Sequence, residues 1–89
     1  MNSDLHRLLD RLSERHNVPN PDKIIPCIDE SRELALHNEE GIAFENLCQN
    51  LFEWDYPLTK EDYAIIEELG RHYQFDDSTW NCLAEVVIC

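Results

Sequence analysis

Apolar residues recur at helical spacing along almost the whole chain, and this periodicity constrains the fold more than any other feature. In the first segment, four leucines stand at i, i+3, i+4 and i+7, which places them on one face of an α-helix: Leu5, Leu8, Leu9 and Leu12. Glycine occurs only twice, and the alternation of β-branched residues that is typical of strands is nearly absent. The sequence therefore predicts an all-α protein.

The first two predicted helices are separated by a proline-rich break. The first runs from Asp4 to His16, and the face opposite its leucines carries a basic ridge: Arg7, Arg11 and Arg15. The second is expected to begin at Pro21, with Asn20 as its N-cap, or nearer Pro26, because proline suits only the first turn of a helix. It ends near His37, and apolar residues face inward: Ile24 or Ile25, Ile28, Ala35 and Leu36.

Three further helices are predicted in the second half of the chain. The third ends near Asp55, and its wide apolar stripe marks the centre of the core: Phe44, Leu47, Cys48, Leu51 and Phe52. Thr59 is expected to cap the fourth helix, with Asp62 in the capping-box position. The fifth is capped by Asp77 or Ser78 and turns four residues inward: Trp80, Leu83, Ala84 and Val87. The prediction is a compact bundle of four to five short helices, forming one domain over residues 1–89.

Negative charge is concentrated in the second half of the chain. The formal net charge is -12. Residues 1–38 carry seven acids and five bases, whereas residues 39–89 carry twelve acids and only Lys60 and Arg71 as bases. This distribution repels nucleic acid and anionic membranes and attracts basic proteins, although an acidic surface also serves solubility alone.

Nothing in the sequence indicates export or a membrane. The chain starts without an apolar run behind a basic head, and no apolar stretch reaches the length of a membrane span. We therefore expect a cytoplasmic protein whose cysteines are thiols. Cys27, Cys48 and Cys82 are expected to serve as small core residues, and Cys89 to be exposed and open to oxidation in vitro.

No pattern of catalytic or metal-binding residues is evident. Four histidines are scattered without metal-ligand spacing: His6, His16, His37 and His72. The abundant carboxylates form no calcium-loop motif, and two glycines are too few for a phosphate-binding loop. We therefore expect neither an enzyme nor a metal or cofactor. A small enzyme or metal-binding protein is the weakest hypothesis, behind the two kinds of protein-binding function that are considered below.

One segment, residues 53–58, places two aromatic residues among acids at a predicted helix end. Trp54 and Tyr56 either pack over the turn between the third and fourth helices or anchor a partner, since aromatic residues supply much of the energy of protein interfaces. Surrounding carboxylates would steer a basic partner. The predicted partner-binding residues are one aromatic pair and eight acids: Glu45, Glu53, Trp54, Asp55, Tyr56, Glu61, Asp62, Glu67, Asp76 and Asp77.

The region from residue 40 to residue 70 contains three distinctive features: the run from Gly41 through Leu47-Cys48 to Glu53, Pro57-Leu58-Thr59 at a helix start, and Leu69-Gly70 at a helix end. In these features it resembles the MafI-like immunity proteins of bacterial polymorphic toxin systems of the contact-dependent inhibition type. The resemblance implies a bacterial cytoplasmic antitoxin that binds the C-terminal domain of a cognate toxin. Toxins of this class are commonly nucleases, including EndoU-like RNases.

Three further expectations concern the partner and the assembly of the chain. If the resemblance does not extend to function, the acidic surface predicts an adaptor or regulator module that binds another basic protein. Replacing Glu53, Asp55, Glu61 and Asp62 with lysine is expected to abolish partner binding and leave the fold intact. A homodimer is also considered, because small domains gain stability from association and because Val86 and Ile88 leave the inward stripe of the last helix.

Overall fold

The helices follow the predicted order along the chain. A computed structural model describes residues 3–15 and 17–88, so His16 and the predicted exposure of Cys89 lie outside the described residues. The first helix was predicted to run to His16, but it ends at Ser13, and the described residues Glu14 and Arg15 are not helical. Four α-helices form the bundle: α1 (Ser3–Ser13), α2 (Pro21–Leu36), α3 (Glu40–Glu53) and α4 (Lys60–His72). Two 3-10 helices, Asp77–Thr79 and Asn81–Val86, lie in what we call the C-terminal segment, residues 77–88. The predicted all-α bundle is confirmed.

The core contains the apolar faces of all four helices. The four leucines of α1 are buried, as are Ile24 and Ile28 of α2 and most of the predicted stripe of α3. Two predicted core residues are exposed instead, Leu36 by 66% and Phe52 by 41% of the side chain. Each follows a buried residue, Ala35 or Leu51, and is therefore rotated by about 100° away from the core. Ser31, which was not predicted to be inside, occupies a core position of α2.

Three helices end with the same local structure, without glycine. Asn38, Asp55 and Gln74 follow α2, α3 and α4 and adopt positive φ angles between 52° and 63°. After α3, the N–H of Tyr56 donates to the carbonyl of Leu51 at 3.0 Å, as the Schellman motif requires. Asn and Asp tolerate left-handed backbone better than most residues. Asp55 therefore has a structural role in ending α3.

The helix starts agree with the sequence in position. Helix α2 begins at Pro21 rather than near Pro26, which lies inside it. Asn20 stands at the N-cap, but its backbone is left-handed and its side chain makes no capping hydrogen bond. The capping box of α4 is confirmed, because Thr59 and Asp62 exchange hydrogen bonds of 2.9 and 3.0 Å.

The fifth helix was predicted as a continuous helix, but it is not an α-helix. The chain forms two short 3-10 helices there, with Trp80 and Leu83 buried but Ala84 exposed and Val87 half-buried. The next residues are extended: Leu58 donates its N–H to the carbonyl of Val86 at 2.9 Å, and Ile88 donates to Leu58 at 2.7 Å. Three consecutive β-branched residues favour this extended pairing over a further helical turn.

Gly70 lies inside α4 because the ring of Trp80 covers it. A Cβ atom at Gly70 would lie 2.2 Å from two atoms of that ring. We expect Gly70→Ala to displace Trp80 and to lower the free energy of unfolding by about 2 kcal/mol or more, because overpacked cores are strained. Chemical denaturation followed by tryptophan fluorescence measures this loss. Gly41→Ala is the control, since its nearest contact would be an ordinary 4.0 Å from Phe75; equal losses in both variants would contradict the explanation.

Candidate functional site

Asp62 is fully buried and joins the start of α4 to the end of α1. Its Oδ1 accepts a hydrogen bond from Nε of Arg11 at 2.9 Å, and its Oδ2 lies 2.6 Å from Nη1 of Arg15. The backbone N–H of Thr59 donates to the same Oδ2 at 2.9 Å. Glu61 is 68% exposed and approaches Arg11 only at 3.5 Å, at the edge of this cluster. The carboxylate of Asp62 is therefore satisfied by its own chain.

The pKa of Asp62 reflects this environment. Burial alone would raise the pKa, because it disfavours the charged form. The hydrogen bonds from Arg15, the Thr59 N–H and Arg11 outweigh burial and hold the pKa below its ordinary value of 3.8. Asp62 is thus an ionised structural residue. The prediction that it contacts a partner is wrong, because its side chain is fully buried.

Tyr56 is also part of the core. It is 1% exposed, and its hydroxyl donates to the backbone carbonyl of Leu12 at 2.7 Å, near the end of α1. The guanidinium carbon of Arg15 lies 5.9 Å from the centre of its ring. Trp54 is half-buried and packs against the core. The structure therefore supports the packing alternative for this aromatic pair. The prediction that Tyr56 contacts a partner is wrong, because its side chain is buried.

The predicted basic ridge of α1 is neutralised within the chain. Arg7 lies 3.4 Å from Asp4, while Arg11 and Arg15 approach Glu61 and Asp62. The other two arginines are also paired, Arg32 with Asp10 at 3.0 Å and Arg71 with Glu67 at 3.4 Å. All five arginines therefore lie beside carboxylates of the same chain, and the remaining basic side chains, Lys23 and Lys60, are exposed.

A groove runs between the outer face of α3 and the C-terminal segment. It has a volume of about 460 Å³, and six residues form its walls: Glu45, Gln49 and Phe52 from α3, and Ser78, Thr79 and Cys82 opposite. The buried Cys48 lies at its base. The side chains of the opposite wall are small, so they leave space in front of the exposed ring of Phe52. We call this space the α3 groove.

One of the predicted acids lines the α3 groove, and two others directly precede its opposite wall in the sequence. Glu45 lines it, and Asp76 and Asp77 precede Ser78; all three are exposed. Asp77 and Glu67 both lie near Tyr63, whose pKa is raised by burial and further by these carboxylates. The C-terminal segment therefore brings acids from separate parts of the sequence to one side of the bundle.

Glu53 lies toward α2. It is exposed, and it faces Cys27, whose pKa is raised by burial and by the charges of Glu30 and Glu53. Cys27 and Cys82 are half-buried, so the prediction of core cysteines is confirmed fully only for Cys48. Glu53 is thus an exposed acid at the end of α3, close to Cys27 of α2.

Sequence reasoning missed the groove because Phe52 was assigned to the core. A helical wheel places Ile42, Glu45, Gln49 and Phe52 within about 80° of one another. All four are exposed. The two polar residues on this face were the available sign that Phe52 points outward.

The described residues provide neither a metal cluster nor a membrane span. In residues 3–15 and 17–88, no three His, Cys, Asp or Glu side chains are arranged to hold a metal ion. Over the same residues, no helix combines the length and apolarity needed to cross a membrane. Two of the histidines have local contacts: His6 pairs with Asp10 at 3.3 Å, and the His72 ring packs edge-on against Tyr73.

Comparison with known proteins gives no match. No protein-family model matches the chain, and no curated protein or solved structure shows significant similarity to it. The candidate site is therefore judged on its own geometry and charge.

Proposed function

We propose that this chain is an immunity protein, which binds a cognate bacterial toxin domain in the cytoplasm and neutralises it. The observation that carries the proposal is the separation of charge in the fold. Every arginine lies beside a carboxylate of the chain, while Glu45, Glu53, Asp76 and Asp77 remain exposed and are outside those ion pairs. Such a surface favours association with a basic protein and steers its approach.

A nuclease is the toxin class that fits this surface best. Enzymes that cleave nucleic acids bind phosphate backbones through lysine and arginine, so their clefts are basic. An acidic protein can occupy such a cleft or the surface beside it. The resemblance of residues 40–70 to MafI-like proteins points to the same class of partner, and an EndoU-like RNase is one example.

The test is to look beside the gene of this chain for one that encodes a large secreted protein, and to co-express the chain with the C-terminal domain of that protein. We expect a stable complex and loss of the toxin's activity. The association rate constant should fall by about tenfold or more as salt rises from about 50 mM to about 500 mM, because salt screens electrostatic steering. A rate constant that does not change with salt would contradict the acidic interface. A basic partner that is not a toxin would favour the adaptor hypothesis.

A further inference from the structure

The α3 groove has the properties of a docking site for a segment of chain. Phe52 is 41% exposed, although aromatic residues on a bundle helix are usually turned inward. It lies at one end of the groove, and Glu45 lies two helical turns away, about 10 Å along α3. Apolar surface and negative charge are therefore available within the same groove.

The wall of the groove that faces α3 is formed by the C-terminal segment. Ser78, Thr79 and the half-buried Cys82 are small, and Cys82 lies beside the apolar base that Cys48 forms. Asp76 and Asp77 directly precede this wall in the sequence and are exposed. An occupant would thus meet an apolar surface at the base of the groove and the carboxylate of Glu45 on the α3 wall.

We propose that the α3 groove takes a basic segment of the partner protein, in which one apolar side chain lies against Phe52 and Cys82 and neighbouring arginines or lysines reach Glu45 and Asp77. This inference rests on the proposed function and names the part of the partner that the chain recognises. Charge selects this occupant over a second copy of the chain, since two copies of net charge -12 repel each other.

The experiment titrates the ¹⁵N-labelled full chain with a synthetic peptide that has one phenylalanine flanked on each side by two arginines. We expect the largest amide shifts at Gln49, Phe52, Thr79 and Cys82, with weak affinity in the range of about 1 mM. A peptide with serine in place of phenylalanine, and one with glutamate in place of arginine, should each bind at least about fivefold more weakly.

Two protein variants make the result specific. Phe52→Ala should weaken the peptide by about fivefold. Leu36→Ala is the matched control, because Leu36 is 66% exposed and does not line the groove, and it should leave binding unchanged. Equal effects of the two variants, or shifts spread over other acidic surfaces, would overturn the inference. A homodimer that Phe52→Ala dissociates in sedimentation would also overturn it.

The failure of this inference is distinguishable from failure of the proposed function. If the neighbouring toxin domain is neutralised in a salt-dependent way but Phe52→Ala binds it normally, the groove assignment is wrong and the immunity function stands. If the peptide occupies the groove but no neighbouring toxin domain forms a complex, the immunity function is wrong and the groove's preference for basic segments stands.

Discussion

Replacing Asp62 with alanine is expected to lower the free energy of unfolding by about 3 kcal/mol at neutral pH. The change removes the carboxylate that accepts hydrogen bonds from Arg11, Arg15 and the Thr59 backbone. It also leaves two partly buried guanidinium groups without their shared partner and removes one half of the capping box, which is worth about 1 kcal/mol. Thermal unfolding should show a fall in Tm of about 12–24 °C for a domain of this size.

The stabilisation that Asp62 provides is also expected to depend on pH. The folded protein holds the pKa of Asp62 below its ordinary value of 3.8, so the folded state binds fewer protons here than the unfolded state. The stabilisation is therefore complete above the ordinary pKa and is lost as the pH falls through the lowered one. The difference in unfolding free energy between wild type and Asp62→Ala should stay constant from pH 7 to about pH 5 and shrink below pH 3.8.

Glu61→Gln is the control for this prediction. Glu61 is the neighbouring acid, but it is 68% exposed and lies 3.5 Å from Arg11. Exposed ion pairs contribute little, so the loss should be below about 0.5 kcal/mol. If Glu61→Gln and Asp62→Ala destabilised the protein equally, the two arginines would not depend on the buried carboxylate as the structure indicates.

Helix positions could be predicted from the sequence because their signals are local. The leucine spacing of α1, the proline at the start of α2 and the Thr59–Asp62 pair each act within a few residues. The last segment could not be predicted in the same way. Its extended residues are held by backbone hydrogen bonds to Leu58, some thirty residues earlier in the chain.

The candidate site was predicted only in part, because sequence reasoning could not pair charges across the fold. Arg11 and Arg15 come together with Asp62 only when α1 packs against α4, so the sequence suggested a basic ridge and an accessible acid where the structure has a neutralised cluster. Tyr56 likewise reaches a carbonyl 44 residues away. Glu45 and Asp77, in contrast, were predicted as acids for a partner and are exposed, and Glu45 lines the α3 groove.

Because Asp62 is buried whereas Glu45 and Asp77 are exposed, a different set of acids should be replaced to test binding. The set of lysine replacements expected to spare the fold included Asp62 and Glu61. A lysine at position 62 would place a third positive charge beside Arg11 and Arg15 in a buried position. Loss of binding in that variant would then report unfolding rather than a damaged interface.

Replacing Glu45, Glu53, Asp76 and Asp77 with lysine is expected to reduce association with a basic toxin domain by about 100-fold or more at low salt. All four side chains are exposed, and neither Asp76 nor Glu53 caps a helix through its side chain. The fold should therefore remain, which circular dichroism and thermal unfolding check. Stopped-flow or surface plasmon resonance measurements of the association rate constant provide the readout.

The matched control has the same four charge reversals on the other half of the chain. Glu14, Asp22, Asp29 and Glu33 are also exposed, so replacing them with lysine changes the net charge of -12 by the same eight units. If a local acidic surface binds the partner, this control should lose only the general attraction and retain most of its affinity. If both variants lost affinity equally, the partner would respond to the total charge of the chain, and Glu45, Glu53, Asp76 and Asp77 would not form its binding site.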